Sequence, residues 1–410
     1  MTDFDVAKMN SLSVWYLAEP AHPHKVGTVS LVPRQQRCSF VYAKEWEASG
    51  GFSLSYDMPL GGDARNPITA PPHWSAPGAL EDAMPDRWGH NTILTIDRPS
   101  RLTPLDLLYY AGDRRFGALG ISTDPDSYLP CPTGLLPTRS SLSAASDLIQ
   151  RIIDKLPIDA RERLILASSK TMGGARPKML VDMDGEEWIA KFPKGEHVDL
   201  PLVEHATMSL ARLAGIRVAE TRAHRITTGH VVLVKRFDRQ GLTRIHALSA
   251  KTMLLQAGEE SYAAMAHILQ IKAPIELLDA QRRELLARLV FNILMDNTDD
   301  HSKNHAFLRR PDGRWELSPA YDLLPQMQGE GKQAIPVAVG VSQDDFENVI
   351  AQAAPFGLGE DEAIAIWKNV AEVVSQWKEF FRSLGVSGHD IDQLKTFIDS
   401  PEKQALLKKS

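Results

Sequence analysis

A dense polar cluster directly follows the most apolar helical pattern of this 410-residue chain, and it constrains fold and function more than any other feature. Residues 275–297, IELLDAQRRELLARLVFNILMDN, have the spacing of a largely buried helix. Residues 296–304, DNTDDHSKN, then bring three Asp and two Asn together within nine positions. Asp and Asn favour caps and turns, so an ordinary solvated helix end is the alternative explanation.

The spacing within the cluster favours a more specific interpretation. Protein kinases use an Asp that accepts the substrate proton, an Asn about five residues later that binds Mg²⁺, and a second Asp beyond a hairpin. Asp299 and Asn304 have this offset, and Asp322 follows the hairpin-like segment AFLRRPDGRWEL. Asp296 and Asp300 have suitable chemistry for the base, but their offsets to Asn304 do not fit.

The preceding part of the chain supplies the groups that phosphate binding requires. Lys191 lies in the predicted strand EWIAKFP, and Glu204 lies on the helix that follows. Residues 171–178, TMGGARPK, combine adjacent glycines with two cations, which suits a loop over nucleotide phosphates. An ordinary Gly-Gly turn is the alternative, because the segment is neither GxGxxG nor a Walker A motif. The order loop, Lys, Glu, Asp, Asn, Asp matches a kinase cleft.

Taken together, these segments resemble the HipA family of bacterial toxin serine/threonine kinases. The resemblance rests on GGARPKML, WIAKFP, LVKRFDR, MDNTDDHSKNHAFL and SPAYDLLP, in that order, and extends to AMPDRWG and GDRRFGALG. It covers nearly the whole chain, and TDDHSKN followed by AYD is its most specific part.

The resemblance implies ATP and Mg²⁺ as cofactors and gives each motif a role. Asp299 would be the catalytic base, and Asn304 and Asp322 would bind the metal. Residues 173–178 would form the phosphate loop, and residues 235–237 the hinge at the adenine. The implied nucleotide-binding set is Gly173, Gly174, Ala175, Arg176, Pro177, Lys178, Lys191, Glu204, Lys235, Arg236, Phe237, His301, Ser302, Lys303, Asn304 and Asp322.

Two departures from the family pattern concern the phosphate loop. The family's inhibitory autophosphorylation site is a serine two residues before the loop, and Thr171 occupies that position here, with Ser168 and Ser169 close by. All three are therefore candidates. Pro177 stiffens the loop and removes one N–H donor, so nucleotide affinity is expected to differ from that of relatives.

The pattern of elements predicts the fold class. We expect a β-rich subdomain at residues 1–145, a small nucleotide-binding lobe at 146–240 and a helical catalytic lobe at 241–410. With the resemblance, this gives an α+β, two-lobed protein-kinase-like fold with a mostly α-helical C-terminal lobe. Predicted strands are VWYL, VGTVSLV, FVYA, LILASS, KMLVDM, EWIAKFP and HVVLVKRF, with a hairpin turn at Asp184-Gly185.

Composition limits the classes of partner and the compartment. The chain has 46 Lys+Arg and 52 Asp+Glu, a net charge of −6, which argues against whole-surface nucleic-acid binding. Cys38 and Cys131 lie too far apart in sequence to suggest a disulfide framework, so a reducing cytoplasm is expected. We find no pattern of a signal peptide or of a membrane span.

The resemblance also implies partners and regulation. The substrate would be the hydroxyl of a translation factor, such as an aminoacyl-tRNA synthetase. A small helix-turn-helix antitoxin of the HipB type would inhibit the chain and would mediate any contact with DNA. Two alternatives remain open: a small-molecule phosphotransferase, and a catalytically silent kinase-like subunit of an antitoxin repressor complex.

Overall fold

The computed structural model describes residues 6–32, 34–171, 173–327, 333–341 and 345–409. The chain forms two compact units. The first consists of Met1–Lys194 with Asp238–Leu248, and the second of Gly195–Phe237 with Ser249–Ser410. The three-part division suggested by the sequence stays a prediction.

Helices and strands occur in both units. The strands are β1 Ser11–Tyr16, β2 His24–Val32, β3 Arg37–Tyr42, β4 Ile68–Thr69, β5 Leu119–Ser122, β6 Lys178–Met183, β7 Glu186–Lys191, β8 Thr221–Ile226, β9 Gly229–Lys235, β10 Arg239–Gln240, β11 Thr243–Arg244, β12 Ala247–Ser249, β13 Ala306–Arg309 and β14 Trp315–Leu317. The α-helices are α1 Lys44–Ala48, α2 Gly78–Asp82, α3 Arg87–Ile96, α4 Pro104–Tyr110, α5 Leu142–Ile153, α6 Ala160–Leu166, α7 Leu200–Leu213, α8 Ala250–Leu254, α9 Tyr262–Lys272, α10 Ile275–Leu294, α11 Phe346–Ala351, α12 Glu360–Ser375, α13 Trp377–Ser383, α14 Gly388–Ile398 and α15 Pro401–Leu407. Short 3₁₀ helices lie at Val6–Lys8, Arg139–Ser141, Ala167–Ser169, Ser302–Asn304 and Ala354–Phe356.

An antiparallel sheet forms the core of the first unit, with strand order β4-β3-β2-β1-β5. β1, β2 and β3 confirm the strands predicted from VWYL, VGTVSLV and FVYA. Val14, Val29 and Phe40 point into the core and are at most 1% exposed. Cys38 is a buried thiol, as expected, and burial raises its pKa to about 12.

The segment LILASS, residues 164–169, is helical, so the strand predicted there is wrong. α6 and the 3₁₀ helix Ala167–Ser169 cover it. The Asp159 side chain accepts hydrogen bonds from the backbone N–H groups of Arg161 and Glu162, and the Glu162 carboxylate accepts one from the Asp159 N–H. This capping box satisfies N–H groups at the start of a helix, and it outweighs the strand propensity of the apolar run.

β6 and β7 form the predicted hairpin. Asp184 and Gly185 have φ angles of 58° and 85°, the left-handed conformation that a two-residue hairpin turn requires. The register pairs Lys178 with Lys191, so both side chains leave the same face of the hairpin as direct neighbours.

The second unit is mostly helical, which confirms the α+β class for the chain. Gly215 follows α7 with a φ of 84°, as expected after a helix end. β13 and β14 pair as the hairpin predicted between Asn304 and Asp322. Trp367, Trp377 and Phe381 of the C-terminal helices are buried in the core. None of the helices within the described ranges combines the length and apolar character needed to cross a bilayer.

Candidate functional site

In the second unit, the polar cluster begins where α10 ends. Asp296 has a φ of 56°, which turns the chain out of the helix. The Asn297 N–H donates to the Asn292 carbonyl at 2.9 Å, and its side-chain amide donates to Asn292 Oδ1 at 3.0 Å. Both asparagines are at most 1% exposed. Residues 298–304, here called the polar loop, therefore leave from a fixed point in the core.

Asp299 and Asn304 lie in one compact turn of the polar loop. The N–H of His301 donates to the Asp299 carbonyl at 2.9 Å, and the N–H of Asn304 donates to the His301 carbonyl at 2.8 Å. Nδ2 of Asn304 donates to the Asp299 carbonyl at 3.1 Å. The amide nitrogen of Asn304 is thus used within the turn, and its amide oxygen is the atom suited to bind a cation.

Asp299 is the exposed carboxylate of the cluster. Asp296 is buried and lies 3.6 Å from Nζ of Lys403 on α15. Burial raises the pKa of the Asp296 carboxyl, and Lys403 opposes the rise. Solvent accessibility therefore favours the same carboxylate as the offset to Asn304 does.

Asp300 is also buried, and its partners keep it ionised. Its carboxylate accepts a hydrogen bond from Nε2 of His305 at 2.9 Å and another from the Tyr262 hydroxyl. Burial alone would raise the pKa of the Asp300 carboxyl, but the nearby His305 and the hydrogen bonds hold it below its ordinary value. These contacts make Asp300 part of the framework of the loop.

Asp322 follows the β13–β14 hairpin with a φ of 60°, a left-handed conformation that few non-glycine residues adopt. The N–H of Ala320 donates to the Arg217 carbonyl at 2.7 Å, which anchors the segment before Asp322. The Tyr321 hydroxyl donates to the Lys303 carbonyl at 2.8 Å. Asp322 is therefore tied through its neighbour to the polar loop.

The donor atoms of these residues fit Mg²⁺. Asp322 offers carboxylate oxygens and Asn304 a carboxamide oxygen, and hard oxygen ligands are what this ion prefers. Across the ranges that the structure covers, no group of three or more His, Cys, Asp and Glu forms a metal-binding cluster. Protein sites for Mg²⁺ commonly supply one or two ligands and leave the others to water and phosphate oxygens.

Other predicted residues of the second unit lie on β9 and α7. Lys235, Arg236 and Phe237 stand at and just after the end of β9. The ring centroids of Phe237 and Tyr321 are 5.2 Å apart, so the hinge candidate packs beside the segment that leads to Asp322. Glu204 lies on α7 and is 1% exposed.

In the first unit, residues 173–178 form what we call the glycine loop. Gly174 has a φ of 83°, which glycine adopts without strain. Its N–H donates to Oδ2 of Asp86 at 2.9 Å, and its carbonyl accepts from the N–H of Trp88 at 3.1 Å. The Trp88 indole donates to the Lys178 carbonyl at 2.7 Å. The start of α3 thus fastens both ends of the loop.

Lys178 and Lys191 are neighbours on β6 and β7, and they are 8% and 6% exposed. Two like charges directly opposite each other destabilise a strand pair, and burial increases that cost. The hairpin therefore carries a concentrated positive charge of the kind that nucleotide phosphates require.

The candidate phosphorylation sites are all buried. Ser168, Ser169 and Thr171 are at most 6% exposed, and their hydroxyls make no hydrogen bond within the described part of the chain. Between them, Nζ of Lys170 lies 3.1 Å from Oδ1 of Asp97. Phosphorylation of any of the three hydroxyls requires that this segment first becomes exposed, so their role stays a prediction.

Sequence reasoning missed Asp86, Trp88 and Tyr321 as parts of the site. AMPDRWG and AYD were recognised as motifs, but no local sequence pattern indicates which residues form hydrogen bonds with them. Asp86 lies 88 residues before Gly174. Only the fold brings the two together.

Comparisons with known proteins identify the family of the chain. A family model described as HipA-like C-terminal domain matches residues 170–377, and one described as HipA N-terminal domain matches residues 20–122. The serine/threonine-protein kinase toxin HipA of Shewanella oneidensis is 26% identical over 376 residues, covering 82% of this chain and 81% of its own length. A putative kinase of Sinorhizobium fredii is 29% identical over 195 residues, covering 41% of this chain and 46% of its own length.

A solved structure shows the same fold. It is the complex of Shewanella oneidensis HipA with HipB and operator DNA, and it matches with a TM-score of 0.67 at 20% identity. The match covers 97% of this chain and 96% of that chain. The predicted two-lobed, kinase-like α+β fold is thereby confirmed.

Proposed function

Because this chain belongs to the HipA family of serine/threonine kinase toxins, we propose that it transfers the γ-phosphoryl group of ATP to a protein hydroxyl. The observation that carries the proposal is the single turn that holds an exposed Asp299 and Asn304 together, linked through Tyr321 to Asp322. A kinase needs these three groups in this order.

Each residue has a proposed task. Asp299 accepts the proton of the acceptor hydroxyl as that oxygen attacks phosphorus. Asn304 and Asp322 hold Mg²⁺, which when bound neutralises charge on the phosphates. Lys191 and the glycine loop orient the phosphates, and Glu204 is the acidic residue on the helix that follows. The backbone of residues 235–237 meets the adenine.

The finer parts of the proposal concern partners and regulation. The acceptor is a translation factor, possible examples being the aminoacyl-tRNA synthetases, and the reaction takes place in the cytoplasm. Phosphorylation at Thr171, Ser168 or Ser169 and a HipB-type antitoxin each inhibit the kinase. The solved HipA structure includes HipB and operator DNA, which supports a similar antitoxin here, with DNA reached only through it.

Mass spectrometry tests the proposal directly. The purified chain is incubated with ATP, Mg²⁺ and cell-extract protein, beside the variants Asp299→Gln and Asp392→Asn. Asp392 is an exposed carboxylate on α14 and serves as the matched control. We expect phosphate on the chain or on an extract protein, its loss in Asp299→Gln, and no change in Asp392→Asn. ATP turnover stimulated only by small alcohols would contradict the proposal, as would ATP binding without any transfer.

A further inference from the structure

Asp299 and Asp300 are neighbours in sequence with opposite environments. Asp299 is exposed, whereas Asp300 is 1% exposed. Removing an ionised carboxylate from water is costly unless close partners compensate it. Burial of a carboxylate directly beside the proposed base therefore costs desolvation free energy. The contacts of Asp300 show what compensates that cost.

The contacts of Asp300 reach two other parts of the second unit. The Tyr262 hydroxyl, at the start of α9, donates to Oδ2, and Nε2 of His305 donates to Oδ1 at 2.9 Å. The Tyr262 and His305 rings also meet edge to face, with centroids 5.3 Å apart. The carbonyl of His305 accepts from the N–H of Ala250 at 2.8 Å, at the start of α8.

The chain of hydrogen bonds continues into α10. Nδ2 of Asn292 donates to the Tyr262 oxygen at 3.1 Å, and Oδ1 of Asn292 accepts from Nδ2 of Asn297 at 3.0 Å. Tyr262, Asn292, Asn297, Asp300 and His305 are each at most 2% exposed, and we call these five residues the buried network. The network fixes Asn297 on one side of Asp299 and Asp300 on the other.

We propose that the buried network positions Asp299 for proton transfer. Between its two fixed points, Asn297 and Asp300, only Thr298 and Asp299 remain, so the backbone direction at Asp299 is set from the core. A misplacement of about 1 Å at a reacting group can reduce the rate about a hundredfold, so such fixing has a direct catalytic consequence. None of the five residues touches the reacting atoms. They are positioning residues, and the inference rests on the proposed role of Asp299.

A purely stabilising role accounts for the network less well. Apolar side chains of similar volume commonly stabilise a core as well as a buried charged pair does. A carboxylate that accepts hydrogen bonds on both oxygens is held in a single orientation. Hydrogen bonds are directional, whereas apolar packing is not. The polar residues of the buried network therefore fit a role in fixing the backbone at Asp299 better than a role in stability alone.

Steady-state kinetics on the full chain tests the proposal. ATP consumption is measured with Mg²⁺ and heat-treated extract protein as acceptor, for wild type, Tyr262→Phe, Asp300→Asn and the double variant. We expect kcat to fall about tenfold in Tyr262→Phe and between about tenfold and a hundredfold in Asp300→Asn, with KM for ATP within about twofold of wild type. The double variant should lose no more than Asp300→Asn alone, since both changes break the same hydrogen bond.

Two control variants remove similar groups elsewhere. Tyr42→Phe removes a buried hydroxyl that donates to the Met58 carbonyl at 2.7 Å in the first unit. Asp399→Asn removes a carboxylate that accepts from the Trp377 indole at 3.0 Å and from Lys378 at 2.6 Å. Both should lower the melting temperature and leave kcat unchanged.

The outcomes separate the two proposals. If wild type is active and the network variants keep kcat within about twofold, or lose kcat/KM only through a rise in KM, the positioning role alone is overturned. A wild type that consumes no ATP overturns the proposed function, and this inference with it. If Asp300→Asn does not fold, Tyr262→Phe decides, because it removes a single oxygen atom.

Discussion

The polar loop of the second unit and the glycine loop of the first unit are both short, and they are fixed in different ways. Side chains buried in the core fix the polar loop, and the ionised Asp300 is the centre of that network. Backbone contacts to Asp86 and Trp88 fix the glycine loop, and buried hydroxyls without a partner in the described structure lie just before it. The polar loop, which presents the carboxylate of Asp299, is thus held by several buried contacts at once. The glycine loop is held through its backbone, and the segment just before it contains buried hydroxyls that make no hydrogen bond within the described residues.

The largest expected effect is on the stability of the polar loop. His305→Leu removes one partner of the buried Asp300 and should lower the free energy of unfolding by about 3 kcal/mol, measured by urea denaturation. The double variant Asp300→Leu/His305→Leu removes both members of the buried pair and should recover much of that loss. Equal losses in both variants would show that shape, and not charge pairing, stabilises the loop.

The contributions of two carboxylates to stability, the buried Asp300 and the half-buried Asp97, should respond to pH in opposite directions. The pKa of Asp300 is lowered from 3.8 despite burial, so its contribution to stability is present above that pH and is lost as pH falls through the folded pKa. Burial raises the pKa of Asp97 from 3.8, and Lys170 opposes the rise, so its contribution falls as pH rises from there through the folded pKa. Denaturation is measured across pH 2 to 7, a range that includes the ordinary pKa of a carboxyl group, for wild type, Asp300→Asn and Asp97→Asn. Differences from wild type with the same slope in both variants would contradict the comparison.

Trp88→Phe tests how firmly α3 fastens the glycine loop. The change leaves the buried Lys178 carbonyl without its indole donor, at a cost of about 1 to 2 kcal/mol. Tryptic cleavage after Lys170 should become faster, because this neighbouring segment is also packed against α3. Trp46→Phe removes an equivalent bond, the indole to the Phe52 carbonyl at 3.0 Å, and should leave cleavage after Lys170 unchanged. Equal acceleration in both variants would point to general loosening of the first unit.

The smallest expected effect concerns backbone conformation in the glycine loop. Gly174 and Gly185 have φ angles of 83° and 85°, so an alanine at either position is strained by about 1 kcal/mol. An added Cβ at Gly174 would meet Nζ of Lys178 at 2.7 Å, whereas at Gly185 it would meet nothing within 4 Å. Gly174→Ala should therefore weaken ADP binding about fivefold by calorimetry, and Gly185→Ala should not. Equal affinities would remove the glycine loop from the nucleotide site.

Local rules of sequence predicted local structure well. Asp184-Gly185 predicts a hairpin because a two-residue turn needs two successive left-handed conformations, which Asp-Gly adopts readily. Gly215 marks the end of α7 for the same reason. LILASS was misread because its helix is specified upstream, at Asp159 and Glu162, and not within the apolar run itself. α3 and α4 were not predicted; Pro85 and Pro99 lie on either side of α3, and Pro104 is the first residue of α4.

The chemistry of the site was easier to predict than its support. Asp299, Asn304 and Asp322 could be proposed because kinase chemistry dictates their types and order. Asp300 looked like a second candidate base, and only its burial between Tyr262 and His305 shows its other use. The hydrogen bonds that hold Asp300 join residues far apart in the chain, and no local sequence pattern reveals them.

The ammonium group of Lys403 has a consequence for synthesis on the ribosome. It donates to the Ile293 carbonyl at 2.5 Å and lies beside Asp296, so it closes the end of α10 from which the polar loop departs. The two residues are 110 positions apart, so Ile293 leaves the exit tunnel long before its partner has been made. A nascent chain therefore carries a polar loop without this contact while residues 305–402 are translated. For the proposed kinase activity, that delay separates synthesis of the polar loop from completion of the contacts that hold it.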